Sequence, residues 1–167
     1  KSFLSAAIGL WLLAFDGEAG AQVVSAATTR DQAKISWSVA HKQVSRLSEM
    51  RQYTGIEALA HSITMKDGGS FKPLSRDADS LEGLNVHGAI VDELHAHKTR
   101  EVYDVIDEAT GARRQPLLFI ISTEGDNETG VFAEQVKYIQ DVLIGAHEDD
   151  TYFGAYYSID AEDDWTT

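Results

Sequence analysis

Two acids follow directly on an apolar run in GAIVDELHAH, residues 88–97. An aspartate at the end of a buried strand, here Asp92, is a suitable ligand for a Mg²⁺ ion that bridges phosphate oxygens. A glutamate next to it, here Glu93, can polarise an attacking water as a general base. A solvated acidic turn has the same sequence pattern, so the segment predicts either a phosphate–metal site or ordinary surface charge.

A lysine and a serine, Lys1 and Ser2, stand at the start of an apolar segment. They match the last two positions of the phosphate-binding pattern G-x-x-x-x-G-K-[ST]. In that pattern the lysine contacts the β and γ phosphates and the hydroxyl binds Mg²⁺. The glycines of the pattern are not present, and Lys-Ser occurs by chance in many chains. The pair therefore indicates a phosphate site only if folding places it beside Asp92 and Glu93.

A pair of hydroxyls, Ser122 and Thr123, ends the apolar run PLLFIIS at residues 116–122. Continuous apolar runs are typical of strands that are buried on both faces of a parallel sheet. A hydroxyl at the end of a strand beside the acidic pair is well placed to position water or phosphate. A plain turn before Gly125 is the alternative interpretation.

Three histidines lie around the acidic pair: His87, His95 and His97. Together with Asp92 they could form a divalent metal site, because H-x-H is a spacing found among metal ligands. No motif places the remaining ligand, so a structural or substrate-sensing role is favoured over zinc binding. A metal-dependent hydrolase that uses Asp92, His95 and His97 stays open as an alternative function.

Arginines are the candidates for stabilising the charge that develops during phosphoryl transfer. Arg76, in LSRDA, is the first of these, either in its own site or in that of a neighbouring subunit. A surface salt bridge with Asp77 or Asp79 is the alternative. Arg113 and Arg114 are weaker candidates, because paired arginines before a strand are commonly solvated.

These side chains can meet only if the elements that bear them end at one edge of a sheet. Thr29 and Gln32 have capping-box spacing and precede an apolar stripe from Ala33 to Leu47, which predicts a helix. Thr99 is expected to cap a later helix. The predicted elements are, in order, a helix at 2–15, a strand at 21–27, the helix up to 47, a hairpin around KDGG at 66–69, a strand at 86–91, a helix that ends before 111, a strand at 116–122, a helix from 132 to 143 and a strand at 152–159.

This alternation predicts an α/β fold, a three-layer sandwich with a mostly parallel central sheet. Ligands of such sheets bind at the carboxyl ends of the strands. The start of the first helix, the acidic pair after residue 91 and the hydroxyls after residue 121 are therefore expected at one place. The sequence predicts that this place is the functional site.

Composition restricts the class of protein. A chain of 167 residues with 43% hydrophobic and 25% charged residues is long enough for one globular domain, and the lack of cysteine excludes disulfides and thiolate metal sites. The net charge of −13 is concentrated in residues 128–167, which hold ten acids and one lysine. This balance argues against a nucleic-acid binder with a basic face. The apolar start is too short to span a bilayer and predicts a buried helix.

The sequence resembles the ATPase domain of the large terminase subunit of tailed bacteriophages over essentially its whole length. The resemblance is carried, in this order, by KSFLSAAIGLWLL, AATTRDQA, LSRDA, LEGLNVHGAIVDELHAH, RRQPLLFIISTEG and YYSIDAEDDW. It implies a P-loop NTPase of the additional-strand, catalytic-glutamate kind with a RecA-like fold. The implied function is an ATPase motor that translocates double-stranded DNA into the procapsid.

The resemblance also implies a role for each matching residue. ATP is bound by Lys1, Ser2, Asp92, Ser122 and Thr123, and Mg²⁺ is bound by Ser2 and Asp92. Glu93 is the catalytic glutamate. Arg76 is the candidate for a catalytic arginine that completes an active site.

The partners and location that the resemblance implies are those of a packaging motor. The partners are double-stranded viral DNA, a portal protein, a terminase small subunit and further copies of the chain in a homo-oligomeric ring, with no membrane involved. The location is the cytoplasm of the infected bacterial host, with transient docking on the procapsid. A virion component or a secreted protein is not expected.

The expected domain organisation is an ATPase domain at 1–158 followed by the start of a linker at 159–167. We expect the first strand and the glycines of the P-loop to lie outside this chain, as does the nuclease of the family, so that the chain alone is inactive and binds DNA weakly. Asp160, Asp163 and Asp164 are interpreted as part of the linker, with a two-metal nuclease as the alternative. Another P-loop DNA motor, such as a helicase, and a non-catalytic binding module also remain as alternatives.

Overall fold

The computed structural model describes residues 1–74, 83–125 and 129–158. Helices and strands alternate through most of these ranges. The elements are α1 (Ser2–Ala14), β1 (Gln22–Ala26), α2 (Arg30–Arg46), α3 (Ser48–Thr54), β2 (Glu57–Leu59), β3 (Ser62–Thr64), β4 (Ser70–Pro73), β5 (Val86–Asp92), α4 (Glu101–Ala109), β6 (Leu117–Ile121) and α5 (Val131–Leu143). No helix in the described ranges combines the length and the apolar content needed to cross a bilayer.

The strands form one mixed sheet in the order β2-β3-β4-β1-β5-β6. The strands β4, β1, β5 and β6 pair in parallel, whereas β3 pairs antiparallel with both β2 and β4. The predicted hairpin around residues 66–69 is present, with Ile63 opposite Phe71. The prediction of an α/β fold with a mostly parallel central sheet is therefore confirmed.

Two apolar cores lie on opposite faces of the sheet, which makes three layers. Neighbouring side chains of a strand point to opposite faces, so Val23 joins one core and Val24 the other. The first core joins α1 and α2 to the sheet and includes Leu10, Leu13, Trp37, Ala40, Val44, Ile63 and Phe71. The second joins α4 and the start of α5 to the sheet and includes Val86, Ala89, Val91, Leu94, Ile106 and Val131.

The first core is held by close approaches around Phe71, which is fully buried. The indole of Trp37 donates a hydrogen bond to the carbonyl oxygen of Phe71 at 3.0 Å. A Cβ at Gly9 would lie 2.7 Å from Cε1 of Phe71, so only glycine lets α1 approach the sheet this closely. Likewise, a Cβ at Gly88 would lie 2.6 Å from a methyl group of Leu12. Two glycines therefore set the distance between α1 and the sheet.

Capping was predicted correctly for one helix and wrongly for another. The Thr29 hydroxyl accepts a hydrogen bond from the Gln32 N–H at 3.2 Å, as expected at the start of α2. Leu47 lies beyond the end of α2 and is 53% exposed, so it does not belong to the buried stripe. The expectation that Thr99 caps α4 is wrong, because Arg100 occupies the cap position without a side-chain cap.

Two strand predictions at the carboxyl-terminal end need correction. Residues 152–158 form no strand. They lie against α5, where Gly154 approaches Ile139 and the Tyr152 hydroxyl donates to Oε1 of Gln135 at 2.8 Å. The strand β6 was expected to be buried on both faces, but it lies at the edge of the described sheet with Leu117 40% exposed. An apolar run shows that the side chains of a strand are apolar, but it does not show whether the strand lies in the middle of a sheet or at its edge.

Arg113 ties together the loops at the amino ends of the strands. Its guanidinium donates to the carbonyl oxygens of Asn85 at 3.0 Å, Gly20 at 2.9 Å and Ala19 at 3.3 Å, and to a carboxylate oxygen of Glu18 at 3.0 Å. Its side chain is only 9% exposed. Arg113, one of the two weaker arginine candidates, thus lies at the opposite edge of the sheet from the acidic pair, and its side chain is largely buried and not solvated.

We expect Phe71→Ala to lower the free energy of unfolding by about 3–5 kcal/mol, because it leaves a cavity between α1, α2 and the sheet. The matched control is Phe153→Ala, at a side chain that is 92% exposed, which should change stability by no more than about 0.5 kcal/mol. Urea unfolding followed by circular dichroism measures both. Equal losses would contradict this description of the core.

We expect Arg113→Ala to lower the free energy of unfolding by about 1–3 kcal/mol, because the partly buried carbonyl groups of Gly20 and Asn85 would lose their donor. The neighbouring Arg114 is exposed and provides the control substitution Arg114→Ala, for which little change is expected. The comparison uses the same urea unfolding measurement. A larger loss for Arg114→Ala would mean that Arg113 is not the anchor of these loops.

Candidate functional site

The start of α1 and the carboxyl ends of β5 and β6 meet at one edge of the sheet. The Lys1 ammonium nitrogen lies 3.0 Å from Oε1 of Glu93, although the two residues are 92 positions apart. The Thr123 hydroxyl donates to Oε2 of Glu93 at 3.2 Å. Parallel pairing explains this meeting, since Asp92 lies opposite Ile121. Three of the segments expected to form the site are thus adjacent.

The backbone of Glu93 has an unusual conformation. With φ 53° and ψ 51° it is left-handed, and within the described ranges it is the only non-glycine residue with positive φ. Its N–H donates to the carbonyl oxygen of Ile121 at 2.8 Å, which extends the β5–β6 ladder by one bond. A left-handed non-glycine residue costs about 1–3 kcal/mol and is concentrated at functional sites. The chain turns sharply here, and this turn presents the carboxylate to Lys1 and Thr123.

The surroundings of Glu93 favour its charged form. Partial burial acts to raise the pKa of this carboxyl group, but the hydrogen bond and charge of Lys1 act to lower it, as do the Thr123 hydroxyl and His95. The net effect is a pKa below the ordinary value, so Glu93 is ionised at neutral pH. An ionised carboxylate only accepts hydrogen bonds and can accept a proton from a water molecule.

The carboxylate of Asp92 and the hydroxyl of Ser2 are oxygen ligands of the kind that Mg²⁺ prefers. One carboxylate oxygen of Asp92, Oδ1, is buried and has no hydrogen-bond partner in the described part of the chain, which is costly unless a ligand pairs with it. Ser2 contributes a hydroxyl at the first residue of α1. Magnesium prefers hard oxygen ligands and usually keeps waters and phosphate oxygens as its other ligands. One carboxylate and one hydroxyl are therefore a sufficient protein contribution.

The amino end of α1 provides backbone groups for an anion. The first N–H of the helix to find a partner is that of Ser5, which donates to the carbonyl oxygen of Lys1 at 3.1 Å. The N–H groups before it are left without helical acceptors, as at every helix start. Together with the partial positive charge of the helix end, these groups favour a bound phosphate.

The histidine metal site proposed as an alternative does not form. His87 is at the start of β5, where its Nε2 lies 2.6 Å from Oδ2 of Asp16. His95 is beyond the other end of the strand, with Nδ1 3.0 Å from the Ser122 hydroxyl. In residues 1–74, 83–125 and 129–158, no group of three or more histidine, cysteine or acidic side chains is arranged to hold a metal ion. The metal-dependent hydrolase therefore has no structural support in these ranges.

The Ser122 hydroxyl is connected to His95 as well as to its own turn. It accepts a hydrogen bond from the His95 backbone N–H at 3.1 Å and donates to the carbonyl oxygen of Thr123 at 3.1 Å. The sequence indicated a hydroxyl at this strand end, but it did not indicate the histidine as its partner. The nearest signal was Gly125, whose close approach to His95 only a glycine permits.

Two sets of candidate residues cannot be placed. Arg76 belongs to residues 75–82, which lie outside the described ranges. The acids Asp160, Asp163 and Asp164 belong to residues 159–167, which also lie outside them. Their assigned roles therefore stay predictions.

Comparison of the sequence and comparison of the structure relate this chain to the same family of proteins. The family described as "Terminase large subunit, ATPase domain" matches residues 1–141. The chain is 30% identical over 115 residues to the "Terminase, large subunit" of Enterobacteria phage HK97, which covers 67% of this chain and 23% of that protein. It is 39% identical over 85 residues to "Protein YmfN" of Escherichia coli (strain K12), covering 51% of this chain and 19% of that protein. The chain thus spans less than a quarter of the length of these relatives.

Solved structures show the same fold. The crystal structure of the HK97 bacteriophage large terminase superposes with a TM-score of 0.72 and 26% identity, over 90% of this chain and 31% of that one. The ATPase domain of the large terminase of Thermus Phage P74-26 superposes with a TM-score of 0.58 and 23% identity, over 76% of this chain and 58% of that one. This chain belongs to the family of terminase large subunit ATPase domains.

Proposed function

We propose that this chain is the ATPase part of a viral DNA-packaging motor, which couples ATP hydrolysis to the translocation of double-stranded DNA into a procapsid. The observation on which this rests is the 3.0 Å pair between Lys1 and Glu93, next to a buried oxygen of Asp92 that has no partner among the described residues. These groups lie where a parallel sheet binds its ligands and where a helix begins. Membership of the terminase ATPase family supports ATP hydrolysis as the reaction, and the DNA substrate is the one that the family resemblance implies.

The triphosphate of ATP would bind at the amino end of α1. Lys1 would exchange Glu93 for the β and γ phosphates, and the free N–H groups of the helix start would bind phosphate oxygens. Ser2 and Asp92 would hold Mg²⁺ through their side-chain oxygens. The ion, when bound, neutralises the charge that develops on the phosphate oxygens.

Hydrolysis would depend on Glu93 and on the hydroxyls that follow β6. Once Lys1 moves to the phosphates, the ionised carboxylate of Glu93 is available to accept a proton from the attacking water. Thr123 donates to this carboxylate, and Ser122 is joined to it through His95, so both are suitably placed to respond to loss of the γ phosphate. Arg76 would supply positive charge to a site in a homo-oligomeric ring, which is an assignment from the family resemblance alone.

The remaining assignments follow from a packaging motor. Residues 1–158 would form the ATPase domain, and residues 159–167 would begin the connection to a nuclease domain. The partners would be double-stranded viral DNA, the portal protein and the terminase small subunit, in the cytoplasm of the infected host and transiently on the procapsid. Residues 1–167 contain no complete G-x-x-x-x-G-K-[ST] loop, so slow or undetectable ATP turnover is expected from them alone.

Glu93→Gln should reduce kcat for ATP hydrolysis by about a hundredfold or more, because the amide cannot accept the proton of the attacking water. The experiment uses a chain extended upstream by a complete phosphate-binding loop, and binding of a fluorescent ATP analogue should be retained. The control is Glu49→Gln on the exposed side of α3, which should leave kcat unchanged. Unchanged turnover in Glu93→Gln would refute the proposed function.

Asp92→Asn should remove most of the effect of Mg²⁺ on nucleotide affinity. In the same extended chain, we expect ATP binding in the presence of Mg²⁺ to weaken more than about tenfold. ATP binding in EDTA should hardly change, because Asp92 would contact the metal and not the base or sugar. Asp107→Asn on the exposed side of α4 is the control. Equal weakening with and without Mg²⁺ would show that Asp92 is not a metal ligand.

A further inference from the structure

We propose that His95 is a positioning residue that links the carboxylate of Glu93 to Ser122, so that the general base and the segment after β6 move together. This inference rests on the proposed role of Glu93. Nδ1 of His95 lies 3.2 Å from Oε2 of Glu93 and 3.0 Å from the Ser122 hydroxyl. The side chain of His95 is 25% exposed, so the imidazole is largely enclosed by its partners.

The pattern of donors and acceptors places the proton on Nδ1. Nδ1 of His95 lies at ion-pair distance from Oε2 of Glu93, and a carboxylate only accepts hydrogen bonds, so a proton on Nδ1 favours this contact. The single hydroxyl hydrogen of Ser122 is donated to the carbonyl oxygen of Thr123. The Ser122 oxygen already accepts the His95 backbone N–H, and its remaining lone pair can accept from Nδ1. The network thus assigns one shared N–H that faces both Glu93 and Ser122.

The position of the imidazole is restricted by its packing. A Cβ at Gly125 would lie 2.7 Å from Cβ and 3.1 Å from Cδ2 of His95, so the backbone of the segment after β6 lies directly against the ring. The ring of Phe132, in the first turn of α5, contacts it edge-on, with centroids 6.1 Å apart and an interplanar angle of 72°. The imidazole therefore fills the space between the ends of β5 and β6 and the start of α5.

Different groups contact the two carboxylate oxygens of Glu93, and His95 contacts Oε2. Oε1 contacts Lys1, whereas Oε2 contacts Thr123 and His95. When Lys1 transfers to a phosphate, Oε1 becomes free for water while Oε2 stays fixed. A displacement of Ser122 would then move His95 and turn the carboxylate. His95 would in this way connect the orientation of the base to the segment that precedes α5.

The test separates the hydrogen bond of His95 from the shape of its ring. In the chain extended by a complete phosphate-binding loop, His95→Phe keeps a ring against Gly125 and Phe132 but lacks the donor. His95→Asn lacks the ring but can place an amide N–H near the position of Nδ1. We expect kcat for ATP hydrolysis to fall about tenfold in His95→Phe, with KM for ATP unchanged, and to recover largely in His95→Asn.

The opposite order, with His95→Asn less active than His95→Phe, would show that only ring packing matters and would overturn the proposal. His61→Phe, at an exposed turn, is the control and should not change kcat. Thermal unfolding and binding of an ATP analogue verify that each variant is folded.

A second measurement tests the same contact by substituting Ser122 instead of His95. Ser122→Ala should also lower kcat without a change in KM, and the double variant with His95→Phe should be no slower than the slower single variant. If the losses of kcat in the two single variants multiply in the double variant, the proposal is overturned, because the two residues then contribute independently.

Failure of the proposed function gives a different result, since Glu93→Gln would then leave kcat unchanged. If Glu93→Gln loses turnover but His95→Phe and Ser122→Ala do not, the proposed function stands and only the role of His95 is refuted.

Discussion

The parallel pairing of β5 with β6 is the interaction on which the candidate site depends. Asp92 lies opposite Ile121, and the N–H of Glu93 donates to the carbonyl oxygen of Ile121. Because parallel strands end at the same edge of a sheet, this register brings an acidic pair and a hydroxyl pair together without any contact between their side chains being needed first. The helix start at Lys1 reaches the same edge because α1 packs across β1, β4 and β5.

The site contains features that would destabilise an isolated segment. Glu93 has a left-handed backbone, and an oxygen of Asp92 is buried without a partner in the described ranges. Such features persist where the surroundings are rigid. Here the rigidity comes from apolar cores on both faces of the sheet, and from close contacts at Gly9 and Gly88 that hold α1 against it. The packing of the fold thus compensates for the conformation that its site requires.

On the proposed function, nucleotide binding and the freedom of the general base are linked. Without a phosphate, Lys1, Thr123 and His95 all contact the carboxylate of Glu93. A triphosphate at the start of α1 competes for Lys1 only, which leaves the carboxylate oriented by the two groups near β6. Binding of ATP and exposure of the base then become one event, which is suitable for a motor whose hydrolysis must be timed.

Local patterns determined much of this protein from the sequence alone: the capped helix after Thr29, the hairpin at residues 66–69, the strands that end before the acidic and hydroxyl pairs, and the family itself. Where only local character was available, as for residues 152–158 and Thr99, prediction was wrong. The contacts of His87 with Asp16, of His95 with Ser122 and of Arg113 with Asn85 and Glu18 were decided by tertiary structure, because they join residues 27 to 95 positions apart. Periodicity and capping act over one or two turns of chain, whereas these contacts depend on which loops the sheet brings together.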